Sequence, residues 1–314
     1  LTANTTGGSN TSVGYKSLDA NTIGSSNTSV GKSAMGAATE GDNNTGIGAG
    51  ALGAVTTGSQ NTAVGTSAGG GTTASNNTSV GYAALTANTT AGDNTAVGVS
   101  ALAANTTGSQ NVAVGALALD ANTTAPYNTA VGYGSLGANV TGNQNTAVGY
   151  LSLAANTALK NTAVGAYAQY QSTTAQESTA IGYAALAALT SGHYNTAVGN
   201  GALSANTTGS NNTAVGYGAL DANSTSPANT AVGYNAATDV TGGENTCIGY
   251  SAASYQNSLT TGAANTIIGA YARTSSATVS NESVYGRYAL GQGANTVTLG
   301  MSGNGVHITL NGST

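Results

Sequence analysis

The sequence predicts an all-β fold, a parallel β-solenoid (β-roll) of about seventeen coils, and three observations carry that prediction. First, the phrase Asn212-Thr213-Ala214-Val215-Gly216-Tyr217-Gly218-Ala219-Leu220 recurs with small edits from one end of the chain to the other. Second, its closing glycine returns at Gly14, Gly31, Gly48, Gly65 and onward to Gly269, at a 17-residue step. The step is broken by single deletions ending at Gly81, Gly165 and Gly249 and by a three-residue insertion before Gly269. Third, each repeat supplies about one Val, one Leu, one Ala and a Thr methyl, too little for a core of its own, so copies must stack. Stacking at a strand spacing of ~4.8 Å would make a rod on the order of 80 Å long. A helix is excluded as the main element, because Gly, Thr, Asn and Ser crowd every window and no 3.6-residue period survives.

The strand is Thr-x-Val. Thr stands three residues before the marker glycine, with Val112 as a β-branched substitute, and Val or Ile stands one before it (Val13, Val30, Ile47, Val64). Between them lies a small residue (Ser12, Ser29, Gly46, Ala63), larger only at Cys247 and Ile267. Alternation places Thr and Val on one face, expected as the core face, with the small residues on the other. Three residues past the glycine comes Ala or Ser, then usually Leu (Leu18, Leu52, Leu85, Leu102). A one-residue slip would turn a strand inside out, so the deletions must fall in the loop before the next Asn-Thr. Pro126 and Pro227 lie in that same loop, where no ladder bond is lost.

Asparagine forms two columns. The head column, read as a structural ladder, includes Asn94, Asn111, Asn128, Asn145, Asn195 and Asn212 and is broken only by Ser178. A partial second column includes Asn21, Asn88, Asn105 and Asn122. Both are expected at left-handed corners, each amide bonding the same amide one coil away. Asn88-Thr89-Thr90 and Asn105-Thr106-Thr107 also read as glycosylation acceptors, though chance sequons are frequent in a chain this rich in Asn and Thr.

The repeat region is expected to span residues 1–291. Residues 292–314, with Asn295-Thr296-Val297-Thr298-Leu299-Gly300 and Val306-His307-Ile308-Thr309-Leu310, read as a transition into a further β module that is cut off. The start at Leu1 aligns with the middle of a repeat, which suggests a segment of a longer polypeptide.

Composition narrows the function classes. The chain has no Trp, no Phe and a net charge of -5, which argues against a nucleic-acid partner. No apolar run reaches membrane-spanning length. His193 and His307 are isolated, Asp42, Asp93 and Glu244 read as scattered surface charge, and Gly69-Gly70-Gly71 lacks the Lys of a phosphate loop. No catalytic residue, metal ligand or cofactor site is therefore predicted, and the chain reads as a non-enzyme. Cys247, in a small-residue slot, reads as an inert buried thiol. The residue after the marker glycine varies, and where it is aromatic (Tyr133, Tyr150, Tyr183, Tyr217, Tyr234, Tyr250) it is the candidate for surface recognition. Tyr suits stacking on a glycan or a protein partner, or shielding of coil edges.

The Asn-Thr-Ala-Val-Gly-Tyr-x-Ala-Leu phrase resembles the head repeats of trimeric autotransporter adhesins, whose strands also end in Ile-Gly or Val-Gly, and the repeat-bearing shafts of phage tail fibres. The coil here is longer than the adhesins' usual one. The tail around Asn295–Gly300 is similar to segments that precede a cleavable chaperone domain in such fibres. The resemblance implies a homotrimer or filament, displayed on a virion or cell surface, that presents or contributes to attachment to a host glycan or protein. The uniformly small Ala or Ser column is expected to suit close packing against a partner chain. An ice-binding solenoid is the rival reading, weakened by the expectation that the strand Thr points inward. A polysaccharide lyase or hydrolase would need clustered acids or bases on adjacent coils, which the sequence lacks.

Overall fold

The computed structural model describes residues 2–256 and 258–300, and the backbone of 306–309. The fold is all-β, a parallel β-solenoid with about 17 residues per turn and no helix among the described residues. Each coil contributes one three-residue strand, and the remainder of the coil is tight turns. The chain divides into two compact units, 1–160 and 161–314.

The first unit holds nine strands, from β1 (Thr11–Val13) to β9 (Thr146–Val148), each parallel to the next and in register, Thr over Thr and Val over Val. The deletion before Gly81 leaves that register intact, with Thr62 of β4 (Thr62–Val64) paired to Thr78 of β5 (Thr78–Val80). The second unit runs from β10 (Thr162–Val164) through β17 (Ser283–Tyr285) in the same way. There too the insertion is absorbed, because Thr246 of β15 (Thr246–Ile248) pairs with Thr266 of β16 (Thr266–Ile268). The length changes sit in turns, as the requirement for register demands. β18 (Thr296–Leu299) continues the parallel ladder on β17, and β19 (Val306–Thr309) returns antiparallel to β18. Leu1 and residues 301–305 and 310–314, part of the expected 292–314 module, lie outside the described residues.

Turns as well as strands bond from coil to coil. The Leu18 N–H donates to Ala34 O and the Thr22 N–H to Thr39 O, both at 3.0 Å, while the Ser33 N–H donates back to Tyr15 O at 2.8 Å. The Thr22, Thr89 and Thr207 side chains repeat the pattern, each Oγ1 donating to the carbonyl of the matching residue in the next coil. A coil's polar backbone is thus satisfied by its two neighbours, which is the condition for folding a chain this poor in apolar residues.

The face expected as core is the outer one. The middle residue of the strand is buried (Ala63, Ala96, Ala163, Ala214), whereas Val64, Val164 and Val215 are each 36% exposed. The reason is volume. Leu at the fourth position past the glycine points inward and fills the thin coil, so the residue facing it must be small. A Cβ on Gly46 would stand 2.9 Å from Met35 Cγ, and one on Gly69 would stand 2.9 Å from Leu52 Cδ2 and 3.0 Å from Ser79 Oγ. The Ala or Ser column past the glycine, expected to meet a partner chain, is also interior: Ala34, Ala51 and Ala202 are fully buried.

The left-handed corners also differ from expectation. Neither Asn column has positive φ. The residue before the head Asn takes it instead, whatever its type: Asp93 (62°), Gln110 (58°), Tyr127 (63°), Lys160 (58°), Glu177 (54°). The inward Leu does so too (Leu52, 50°; Leu203, 52°), at a cost of roughly 1–2 kcal/mol each that its complete burial offsets.

Candidate functional site

The head asparagines sit at the base of the strand and are buried. Their bonding differs from a simple amide stack. The Asn111 N–H donates to Asn94 Oδ1 at 3.0 Å, the Asn128 N–H to Asn111 Oδ1 at 2.9 Å, and the Asn145 N–H to Asn128 Oδ1 at 3.0 Å. Most Nδ2 groups turn into the next coil's loop, Asn111 to Ala125 O at 2.9 Å and Asn195 to Gly209 O at 2.8 Å, while Asn94 Nδ2 donates to Gly92 O of its own coil at 3.3 Å. Asn212 continues the ladder with its N–H on Asn195 Oδ1 at 3.0 Å. At Ser178 the Asn195 N–H donates to the Ser178 Oγ at 3.2 Å, a hydroxyl standing in for an amide oxygen, and Glu282 takes the head slot of the β17 coil with its N–H on Asn265 Oδ1.

The second column does stack amide on amide: Asn105 Nδ2 donates to Asn88 Oδ1 at 3.0 Å and Asn122 Nδ2 to Asn105 Oδ1 at 2.9 Å. Where the next coil has Ala38, Asn21 Oδ1 is left buried without a partner. Asn88 Nδ2 is fully buried and bonded to Thr72 Oγ1 and Ala91 O, so a glycan cannot be carried there in the folded chain.

Two residues read as isolated or as surface charge belong to a third column. The Ser25 N–H donates to Asp42 Oδ1 at 2.7 Å, and the Gln176 N–H donates to His193 Nδ1 at 3.1 Å. Ser59 does the same for Asp42 and Ser210 for His193, so these side chains cap corners one coil back. Among the described residues no three His, Cys, Asp or Glu converge on one point. Cys247 is fully buried, and burial pushes its thiol up to about 12.

The outward surface carries the remaining chemistry. In both units Val or Ile lies beside Thr on every strand from β1 through β16 except β7 (Val112–Val114), where Val112 replaces Thr. Among the described residues the strand threonines Thr62, Thr95, Thr196 and Thr213 make no side-chain hydrogen bond, unlike the turn threonines whose hydroxyls go to the next coil.

All six candidate tyrosines are exposed. They do not form one set. Tyr133 and Tyr150 stack at 5.6 Å, Tyr217 on Tyr234 at 5.2 Å and Tyr234 on Tyr250 at 5.1 Å, with planes within 15°. Tyr271 and Tyr288, which sequence reading did not single out, stack on each other at 4.9 Å, Tyr271 meets Tyr250 at a 57° tilt, and the Arg287 guanidinium lies 4.8 Å from the Tyr288 ring. Partial desolvation, then Tyr250 and Tyr288, hold the Tyr271 phenol above its ordinary value. Rings stacked this closely turn their faces to each other and their edges outward, which suits shielding of the coil edge better than the stacking of a sugar. Tyr183 stands apart. It meets Tyr167 edge-on, at 83°.

No known protein-family model matches this sequence, and no curated protein matches it at a significant level.

Proposed function

We propose that this chain is a non-enzymatic structural segment, a length of stiff fibre or adhesin displayed outside the cell or on a virion, that associates with copies of itself as a homotrimer. The observation that supports the reading is the outward Thr-x-Val face. A monomer has no use for Val or Ile 36–40% exposed at one strand position on neighbouring coils (Ile47 and Val64; Val164 and Ile181; Val215, Val232 and Ile248), whereas a second and third copy would cover them. The likeness of the repeat to trimeric adhesin heads and tail-fibre shafts points the same way. Two charged substitutions on that face, Val64→Asp and Val215→Asp, are the test, read by light scattering. Three times the chain mass for the wild type, with dissociation in the double variant, supports the assembly. A wild type of single-chain mass overturns it.

A second reading, an ice-binding solenoid, is favoured by the strand threonines. The strand threonines point outward with hydroxyls that no protein group uses, spaced by the coil repeat, and an ordered hydroxyl and methyl array of that kind can order water as ice does. Thermal hysteresis of the purified chain, abolished by Thr62→Lys with Thr213→Lys, would favour ice binding. Its absence leaves the fibre reading alone.

A further inference from the structure

In so regular a chain, a coil that departs from its neighbours at several positions without changing length invites a reason, and such a coil begins at Asn161. Tyr167 and Tyr170 stand where other coils carry mostly Gly, Ala, Ser or Asp; Gln169 replaces the inward Leu; Gln171 replaces Ala; Ser172 and Ser178 replace the two asparagines. Gln169 is fully buried, its Nε2 donates to Asn161 Oδ1 at 3.2 Å, and its Oε1 has no partner. A buried orphan acceptor costs roughly 1–3 kcal/mol, so this coil is not the stablest version of the repeat. Local rules are broken in this way at functional sites.

The same residues shape an open depression of about 380 Å³. Tyr170 and Tyr183 both meet Tyr167 edge-on, at 80° and 83°, instead of joining a stack. Alanines, among them Ala187, line the depression between the rings, with Gln171 and Ser204 as its polar members. Ser204 Oγ donates to the Asp221 carboxylate, whose slot in the coil is the one Tyr170 and Ala187 occupy in theirs. Aromatic surface beside an amide and a hydroxyl that is held by the Asp221 carboxylate suits a ligand with one apolar face and several hydroxyls, and no cation stands in the lining to hold an anion.

We propose that the depression between Tyr170 and Tyr183 is a binding site for an uncharged sugar ring. This rests on the surface-attachment part of the reading above but not on the trimer. The full chain, titrated with neutral oligosaccharides and with their sulfated counterparts, is read by tyrosine fluorescence, which is unobstructed because the chain has no Trp. At least one neutral oligosaccharide is expected to bind saturably. Tyr170→Ala or Tyr183→Ala should weaken it tenfold or more, while Tyr217→Ala, in the separate stack, should change it less than twofold. If Tyr170→Ala does not fold, Ala187→Glu fills the site instead, in a slot where Asp221 and Tyr170 show that polar and large side chains are accepted. Absence of binding, equal loss with Tyr217→Ala, or a preference for the sulfated sugars overturns the proposal. Native mass measured on the same samples tells loss of sugar binding apart from loss of assembly.

Discussion

Replacing Gly216 by Ala should damage the solenoid far more than replacing Gly201 by Ala, although both glycines have positive φ and belong to successive coils. Gly216 has φ +137°, a region that L residues rarely adopt, and a Cβ there would lie 2.3 Å from Gly233 O and 2.6 Å from Gly233 C. An ordinary contact needs about 3.5 Å, so the two coils would have to part by roughly 1 Å in a spacing of ~4.8 Å. That movement strains the Gly233 N–H bond to Val215 O and the Thr213 N–H bond to Asn229 O, both 2.8 Å. Backbone strain of about 1–3 kcal/mol and the weakening of two bonds worth about 1 kcal/mol each sum to roughly 3–5 kcal/mol. Gly201 has φ +66° and nothing within 4 Å of the point where a Cβ would stand, and other coils hold Ala184 (53°) and Ser100 (54°) in the same slot. Its cost should stay near 1 kcal/mol. Urea unfolding followed by circular dichroism measures the global effect. Amide exchange resolves whether opening is confined to the coils on either side of Gly216, as nearest-neighbour stability in a repeat array requires. Equal destabilisation by the two variants would refute the close approach of marker glycines as the constraint on the repeat.

Asn111→Ala leaves the Asn128 N–H and the Ala125 carbonyl without their partners in a buried corner, and a loss of about 2–5 kcal/mol is expected in the same unfolding assay. Asn111→Ser should recover part of it, as Ser178 does naturally. Cys247 should resist a thiol reagent such as dithionitrobenzoate in the native state and react stoichiometrically in denaturant. Its folded pKa is raised to about 12, so its share of stability is complete below about pH 9 and declines as pH rises toward 12, by up to ~1.4 kcal/mol per unit. Cys247→Ala should remove that slope. Tyr217→Ala with Tyr234→Ala should cost about 0.5–1.5 kcal/mol of coupling beyond the single variants in a double-mutant cycle. A coupling near zero would mean that the stack is an accident of spacing.

The period, the register and the placement of deletions could be read from the sequence because a parallel stack tolerates no slip, and Thr62 over Thr78 shows how strictly that holds. Which face lies inside could not be read from hydropathy. Val outranks Ala on any apolar scale, yet Ala214 is buried and Val215 is exposed. The deciding quantity is the volume left by Leu, and the chain does record it. Gly46 meets Met35 of the preceding coil, so the middle strand residue faces the inward residue one coil back. Where that inward residue shrinks to Ala237 and Ala253, the residues in the facing slots grow to Cys247 and Ile267. That exchange of volume between columns is the signal that would have turned the strand the right way round. It also reverses the judgement on the strand threonines, which hydropathy had placed inside.

The tyrosines teach a narrower lesson. Sequence position selected six rings by their place after the glycine, but chemistry depends on what each ring's face meets. In-register coils bring Tyr217, Tyr234 and Tyr250 into a stack, with the ring faces turned to one another. Tyr167 and Tyr170 stand in slots that most coils fill with small residues, and they meet edge-on instead of stacking. In a solenoid the candidates for binding are therefore the departures from the pattern, and the pattern itself is scaffold.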